Sequence, residues 1–270
     1  MDPKSEQFAF GTYLLLGDTD DLLCRNIRQA LERRGAQVRF LAEPFCNSSR
    51  FSWLLDSTRT SSAVVFEDGT RLTDSNISGV LLRHTKHLIT KSTDSDDHGY
   101  IQAEIQAATL GWVWSLSCPV INRLPAWLWY CPKPPIQFWS RSLRANGLEA
   151  VDFAEPRVEG RSASRTGGES FGTGDPPSVC DRACVVGHLT IWNLNRPLNV
   201  DRYESALIEF AHRAGLSFLE IGIVATSDGV RVKEVDPFPD LSRFCLSSRR
   251  AITAALTKLF TDSNSYLRPE

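Results

Sequence analysis

Apolar runs and amphipathic stretches alternate along the first eighty residues. Thr12-Tyr13-Leu14-Leu15-Leu16 is a continuous apolar run of strand length, and Asp20 to Arg34 places Leu22, Leu23, Ile27, Ala30 and Leu31 on one helical face. Gly35 stops that helix and Gln37-Val38-Arg39-Phe40-Leu41 resumes as a strand. This order predicts a β-α-β unit and a small parallel sheet. Val64-Val65-Phe66, followed by Asp68-Gly69, and then Gly79-Val80-Leu81-Leu82-Arg83 read as its further strands. From Asp97 to Gly147 the period becomes helical. Tyr100, Ile101, Glu104, Ile105, Ala108 and Leu110 form one face, Cys118 to Asn122 a short strand, and Pro134 to Asn146 a helix with proline in its first turn and Gly147 at its end.

The last third predicts a strand from Cys184 to Trp192, a helix from Asp201 to Ala214, a hairpin and a final helix from Ser248 to Phe260. In the hairpin, Leu219, Ile221 and Ile223 alternate with smaller or polar residues. Ser227-Asp228-Gly229 supplies the turn, and Val230, Val232 and Val235 resume the pattern. Glu234 and Asp236 end it two residues apart, so both carboxylates point to one face and can reach one cation. Hard Mg²⁺ takes such oxygens while nucleotide phosphates complete its shell. The structural alternative is a solvated hairpin end. Between the two halves, the stretch from Glu159 to Asp181 is rich in Gly, Ser, Arg and Pro and predicts a flexible loop. Its glycines open no helix, and Gly17-Asp18-Thr19-Asp20-Asp21 lacks the glycine spacing and lysine of a phosphate loop. The chain divides accordingly into 1–95, 96–158, 159–182 and 183–270.

Composition trims the function classes. A net charge of −2 over 270 residues argues against a nucleic-acid coat or an anionic-membrane binder. No apolar run reaches transmembrane length, and the N-terminal run reads as a first strand rather than a signal peptide. Seven scattered cysteines suit reduced thiols, so a cytoplasmic location is expected. Cys180, Cys184 and His188 match no zinc-site spacing and are read as chance. Trp112, Trp114, Trp127, Trp129 and Trp139 crowd one block; packing in a core or seam is the commoner use of such rings, stacking a purine or sugar the functional one.

The order of these parts resembles an ATP-grasp ligase: an α/β fold with a small N-terminal parallel α/β domain and a reduced C-terminal α+β grasp domain. The residues that carry the likeness are Gly79 to Arg83, the helix with Tyr100 and Glu104, the strand reaching Asn122, and the helix running into Gly147-Leu148. Val185-Val186-Gly187-His188, Gly215-Leu216-Ser217-Phe218 and Lys233-Glu234-Val235-Asp236-Pro237 complete it. More closely, the chain is similar to the branch that modifies ribosomal peptides and makes microviridin-type crosslinks. The resemblance implies Mg²⁺ and ATP as cofactors and a peptide or protein partner, with neither nucleic acid nor membrane. It implies metal ligation by Glu234 and Asp236, the latter in place of the family's Asn, with Glu220 beside Gly222, where the family has a further acid. Arg83 is implied to hold a carboxylate or phosphate in the cleft, as a catalytic residue with Lys133.

Departures from the family pattern argue against both cofactors. Lys133 is the only candidate for the first nucleotide-binding lysine. No lysine lies between Leu148 and Val185, where the family's nucleotide lid and its second lysine belong, and Asp152 to Pro156 is at most a remnant, with Glu155 as its nucleotide-binding acid. The expectation is therefore an accessory or scaffold protein, a pseudoenzyme that binds a peptide or protein partner without the usual lid. The alternative is a minimal ATP-dependent carboxylate-amine ligase in which Lys133, Arg83, His188 or Arg157, Arg161 and Arg165 neutralise phosphate charge. A cleft reused for another reaction is the third reading, although no nucleophile-base pair stands at diagnostic spacing. His84, Lys86 and His87, next to Arg83, are read as solvated charge.

Overall fold

The computed structural model describes residues 11–41, 49–55, 60–83, 98–151, 180–193, 201–226 and 229–262. In chain order its elements begin with β1 (Thr12–Leu16), α1 (Leu22–Glu32), β2 (Gln37–Phe40), β3 (Ser49–Leu55), β4 (Thr60–Phe66), β5 (Arg71–Thr73) and β6 (Ile77–Leu82). The central segment supplies α2 (His98–Ser115), β7 (Val120–Ile121), α3 (Ala126–Tyr130), α4 (Ile136–Ala145) and β8 (Glu149–Ala150). The last part supplies β9 (Cys180–Val186), β10 (Leu189–Trp192), α5 (Asp201–Arg213), β11 (Phe218–Thr226), β12 (Gly229–Asp236) and α6 (Leu246–Thr261).

The N-terminal β-α-β unit is present. β1 pairs in parallel with β2 and β6, and β7 joins β6, giving the order β2-β1-β6-β7. All five residues of β1 are buried, as a parallel strand covered on both faces requires. Asp21 caps α1 by accepting the Cys24 N–H at 2.9 Å, and Leu23, Ile27 and Leu31 press its apolar stripe onto Tyr13 and Leu15.

Two expectations are corrected. Val64 to Phe66 is not part of the parallel sheet; it lies in β4, the middle of a separate antiparallel sheet β3-β4-β5. Alternation marks a strand but not its partner, and an antiparallel hairpin needs only a short turn such as Asp68-Gly69. The single strand expected from Cys184 to Trp192 is two, β9 and β10, reversed at Gly187-His188, where Gly187 takes φ 56°.

The second large sheet has the order β10-β9-β11-β12-β8, antiparallel except for the β12–β8 edge. One of its faces, with Leu219, Ile221, Ile223 and Val232, joins a core that includes Trp139 and Leu143 of α4 and Leu207 and Phe210 of α5. The other face, with Cys184, Val186 and Phe218, joins Tyr13, Leu15 and the α6 residues Ile252, Leu256 and Phe260. Each core thus draws on both large sheets, which fixes the cleft between them. Trp112 and Trp139 are buried and Trp129 is partly so, whereas Trp114 and Trp127 are exposed. Residues 152–179 lie outside the described residues. So do Glu155, the arginines 157, 161 and 165 and most of the expected flexible loop and lid region, whereas residues 180–182, expected to close that loop, form the start of β9; His84, Lys86 and His87 also lie outside the described residues.

Candidate functional site

β11 and β12 form the expected hairpin, and its register determines which side chains meet. Glu220 stands opposite Asp236 and Gly222 opposite Glu234, but Ile223 stands opposite Val232, so Lys233 is an extra residue in β12. Such a bulge changes which face the following residues use. Val232 and Val235 both enter the core, while Glu234 and Asp236 share the opposite face with Glu220. Gly222 leaves that face open, because a Cβ there would come within 3.1 Å of Glu234 Cβ. On the other side of β11, β9 places Arg182 opposite Gly222 and Cys184 opposite Glu220.

Guanidinium groups fill the space between the carboxylates. Arg182 Nη1 donates to Glu220 Oε1 and lies 3.3 Å from Glu234 Oε2. Arg243, in the segment after β12, reaches Glu220 Oε1 and Glu234 Oε1, each at 3.4 Å. The Asp240 N–H donates to Glu220 Oε2 at 3.2 Å. Asp236 accepts the Phe238 N–H at 2.8 Å, and Lys133 Nζ lies 3.7 Å from its other oxygen. Burial raises the carboxyls of Glu220 and Asp236 above their usual range, despite the neighbouring cations.

The structure therefore brings Lys133, Glu220, Glu234 and Asp236 together, as the sequence suggests. It adds Arg182 and Arg243, which sequence reasoning missed. Glu220, Glu234 and Asp236 face the cationic side chains of Arg182, Arg243 and Lys133, and Asp240 adds a further carboxylate 3.8 Å from Arg243 Nε. Among the described residues no three carboxylate, imidazole or thiolate groups are placed to hold a metal ion. Glu220 and Glu234 oxygens already receive N–H donors from Arg182, Arg243 and Asp240. Among the described residues Asp236 Oδ2 faces only Lys133, at 3.7 Å, and Gly222 supplies no ligand, so a divalent cation here would have to displace a guanidinium. Beside them a cavity of about 320 Å³ opens between Lys133, Lys233 and the start of α4, lined also by Glu234 and Asp236.

Arg83 is committed to the N-terminal sheet, although its charge still reaches Asp240 and Cys184 beside the carboxylate cluster. Its Nε and Nη2 donate to Asp21 Oδ2 at 3.2 and 2.8 Å, tying the end of β6 to the N-terminus of α1, and its buried Nη1 has no hydrogen-bond partner among the described residues. Gly17 makes room for it, since a Cβ there would meet Arg83 Cβ at 2.8 Å. Asn122 joins the two sheets. It sits at φ 56°, its amide nitrogen donates to the carbonyls of Phe218 and Pro237 at 2.6 and 2.7 Å, and its oxygen accepts the Phe218 N–H at 2.9 Å. Of the chance triple, Cys184 is buried, with its thiol pKa raised by burial, and His188 packs edge-on against His212 at the β9–β10 turn.

Solved structures share this architecture. The macrocyclase MdnC of Microcystis aeruginosa MRC, bound to its precursor peptide MdnA, superposes with a TM-score of 0.70 at 13% identity over 93% of this chain and 99% of MdnC. The fold is an ATP-grasp fold. A RiPP-associated ATP-grasp ligase of Chryseobacterium gregarium, in complex with ADP and a leader and core peptide, also scores 0.70 at 10% identity, over 95% and 98% of the two chains. The ATP-grasp ligase PsnB, with a minimal precursor variant, Mg and ADP, scores 0.61 at 15% identity over 92% and 97%. No protein-family model matches the sequence, and no curated protein does. The similarity is thus one of ATP-grasp architecture, with RiPP-modifying ligases as the neighbours. No described helix is long and apolar enough to cross a membrane.

Proposed function

We propose that the chain is an ATP-grasp-fold protein that binds a peptide or protein partner as an accessory or scaffold, with a nucleotide site that no longer performs Mg-ATP ligation. The observation that carries this reading is the cation-paired carboxylate set. Glu220 and Glu234 are held by Arg182 and Arg243, and Asp236 lies beside Lys133, so the cations that meet these carboxylates weaken the field that would draw in a divalent ion. A ligase forming an acyl phosphate concentrates negative charge at the transferring phosphoryl group and needs preorganised positive charge or metal to stabilise it. The precursor peptides bound by MdnC, PsnB and the Chryseobacterium ligase support a peptide as the partner. Scattered thiols suit a reducing cytosol.

The second reading, a minimal ATP-dependent ligase, draws on the cavity between Lys133 and Lys233, where two ammonium groups flank a space next to Asp236. Calorimetric titration with Mg-ATP separates the two. The expected outcome is no saturable binding with a dissociation constant below about 1 mM. A micromolar constant would put the ligase reading first. Mg²⁺ alone should leave the melting temperature of the wild type unchanged and raise that of Arg243→Ala, in which two carboxylates lose a shared guanidinium and can turn to the ion.

A further inference from the structure

α1 and α6 lie side by side. Leu22 and Leu246 stand at one end of the pair, and at the other Arg34 donates to the Thr261 hydroxyl at 3.1 Å, so the helices run in the same direction. Between them is a groove of about 620 Å³. Its walls carry Arg33 and Arg34 from the end of α1 and Arg249 and Arg250 from the beginning of α6, and none of the described residues that line it is acidic.

Two of the four arginines serve the fold. Arg249 donates to the carbonyls of Phe244 and Ser242 at 2.6 and 2.8 Å, and Arg34 holds Thr261. Arg33 and Arg250 are exposed and make no ion pair among the described residues. Arg250 also stands near the positive end of the α6 dipole, and no acid occupies that helix's first turn, so helix electrostatics do not explain a cation there. Between the arginines the lining mixes Leu22, Ala30 and Ala254 with the neutral polar side chains of Asn26, Gln29, Thr253 and Thr257, and Leu246 is 61% exposed.

We infer that this groove docks an acidic, amphipathic segment of a peptide or protein partner. Carboxylates of the segment pair with the free guanidinium forks of Arg33 and Arg250, and an aliphatic side chain covers Leu246 and Leu22. Nucleic acid is the poorer match. Phosphate-driven binding needs a run of uncommitted cations, whereas two guanidiniums here are held by the chain's own oxygens, and the lining offers no aromatic ring on which a base could stack. The inference deepens the partner-binding half of the proposed function and rests on it. It is independent of whether the carboxylate cleft takes ATP.

The test is fluorescence anisotropy with the full chain and three labelled probes: a short peptide of Glu, Asp and Leu, its counterpart with Lys for each acid, and a single-stranded DNA. The acidic peptide should bind saturably and more weakly as NaCl is added, and the Lys peptide should not bind. Arg33→Ala with Arg250→Ala should weaken binding by about tenfold at an unchanged melting temperature. Arg250→Glu alone should weaken it in the same direction, which keeps the test open if the double variant folds poorly. No saturable binding of the acidic peptide, equal affinity in the variants, or tighter binding of DNA would each overturn the inference. Because the Mg-ATP titration of the double variant should match that of the wild type, failure here and failure in the cleft are told apart.

Discussion

Asp236 is 3% exposed, and the balance of forces on its carboxyl favours the proton. Burial raises its pKa, and the Phe238 N–H and Lys133 offset that only in part. The folded chain therefore holds this proton more tightly than the unfolded chain does. Its contribution to stability is fully present below the unfolded-state value of about 3.9 and is lost as the pH rises through the folded value. Asp236→Asn keeps an oxygen for the Phe238 N–H and removes the titration. Melting curves across pH should show wild type and variant together below about pH 4 and the variant melting higher at pH 7; a constant separation would contradict the assignment. Cys245 titrates in the opposite sense: hydrogen bonds from Ser247 and Ser248 lower its thiol to about 7, whereas burial pushes Cys118 to about 11 and Cys24 to about 12. Mass-spectrometric mapping of iodoacetamide labelling at neutral pH should find Cys245 modified well before Cys24, Cys118 or Cys184. Glu234 and Asp236 were legible in the sequence because i, i+2 alternation places carboxylates on one face without knowledge of the fold, whereas Glu220 and Lys133 came from the family resemblance. Arg182 and Arg243 were not. Their approach to Glu220 spans 38 and 23 positions and depends on β9 pairing with β11 and on the path of a turn after a proline, neither of which alternation encodes.

At the scale of elements, the joint at Asn122 ties β7 to the start of β11 and to the turn after β12 through three buried hydrogen bonds. Asn122→Ala strands two carbonyls and an N–H away from water and puts a Cβ-bearing residue without a compensating side chain at φ 56°. Urea unfolding should show a loss of about 3 to 5 kcal/mol, since each buried group left unpaired costs roughly 1 to 3. Asn122→Gly, which relieves the backbone but restores no hydrogen bond, should recover only a small part of that loss. Element type was readable wherever period and punctuation agreed, as in α1, α4, α6 and the β11–β12 hairpin. It failed at Gly187-His188, where a single glycine reverses the chain inside an apolar run, and at β3, whose partner β4 was assigned to a different sheet.

For the whole molecule, the order of elements carried the ATP-grasp likeness, and the superpositions on MdnC and the Chryseobacterium ligase bear out that fold at identities of 13% and 10%. At this distance the fold survives through burial pattern and connection order, which tolerate almost any apolar-for-apolar exchange. The chemistry of the cleft has no such tolerance, because one residue such as Gly222 or Arg243 changes the charge that a phosphate or metal would meet. That is why the architecture was legible while the electrostatic closure of the site emerged only in three dimensions.

The packing of α1 and β1 against α6 also has a consequence for synthesis. Tyr13 rests edge-on against Phe260 with ring centroids 5.6 Å apart, and Leu15, Ile27 and Leu31 share a core with Ile252, Leu256 and Phe260. One face of the first sheet therefore stays wet on the ribosome until nearly the whole described chain has been translated. Such late closure exposes apolar surface for as long as translation lasts, and it makes the nascent chain a client for holding chaperones and a poor candidate for C-terminal truncation before Thr261.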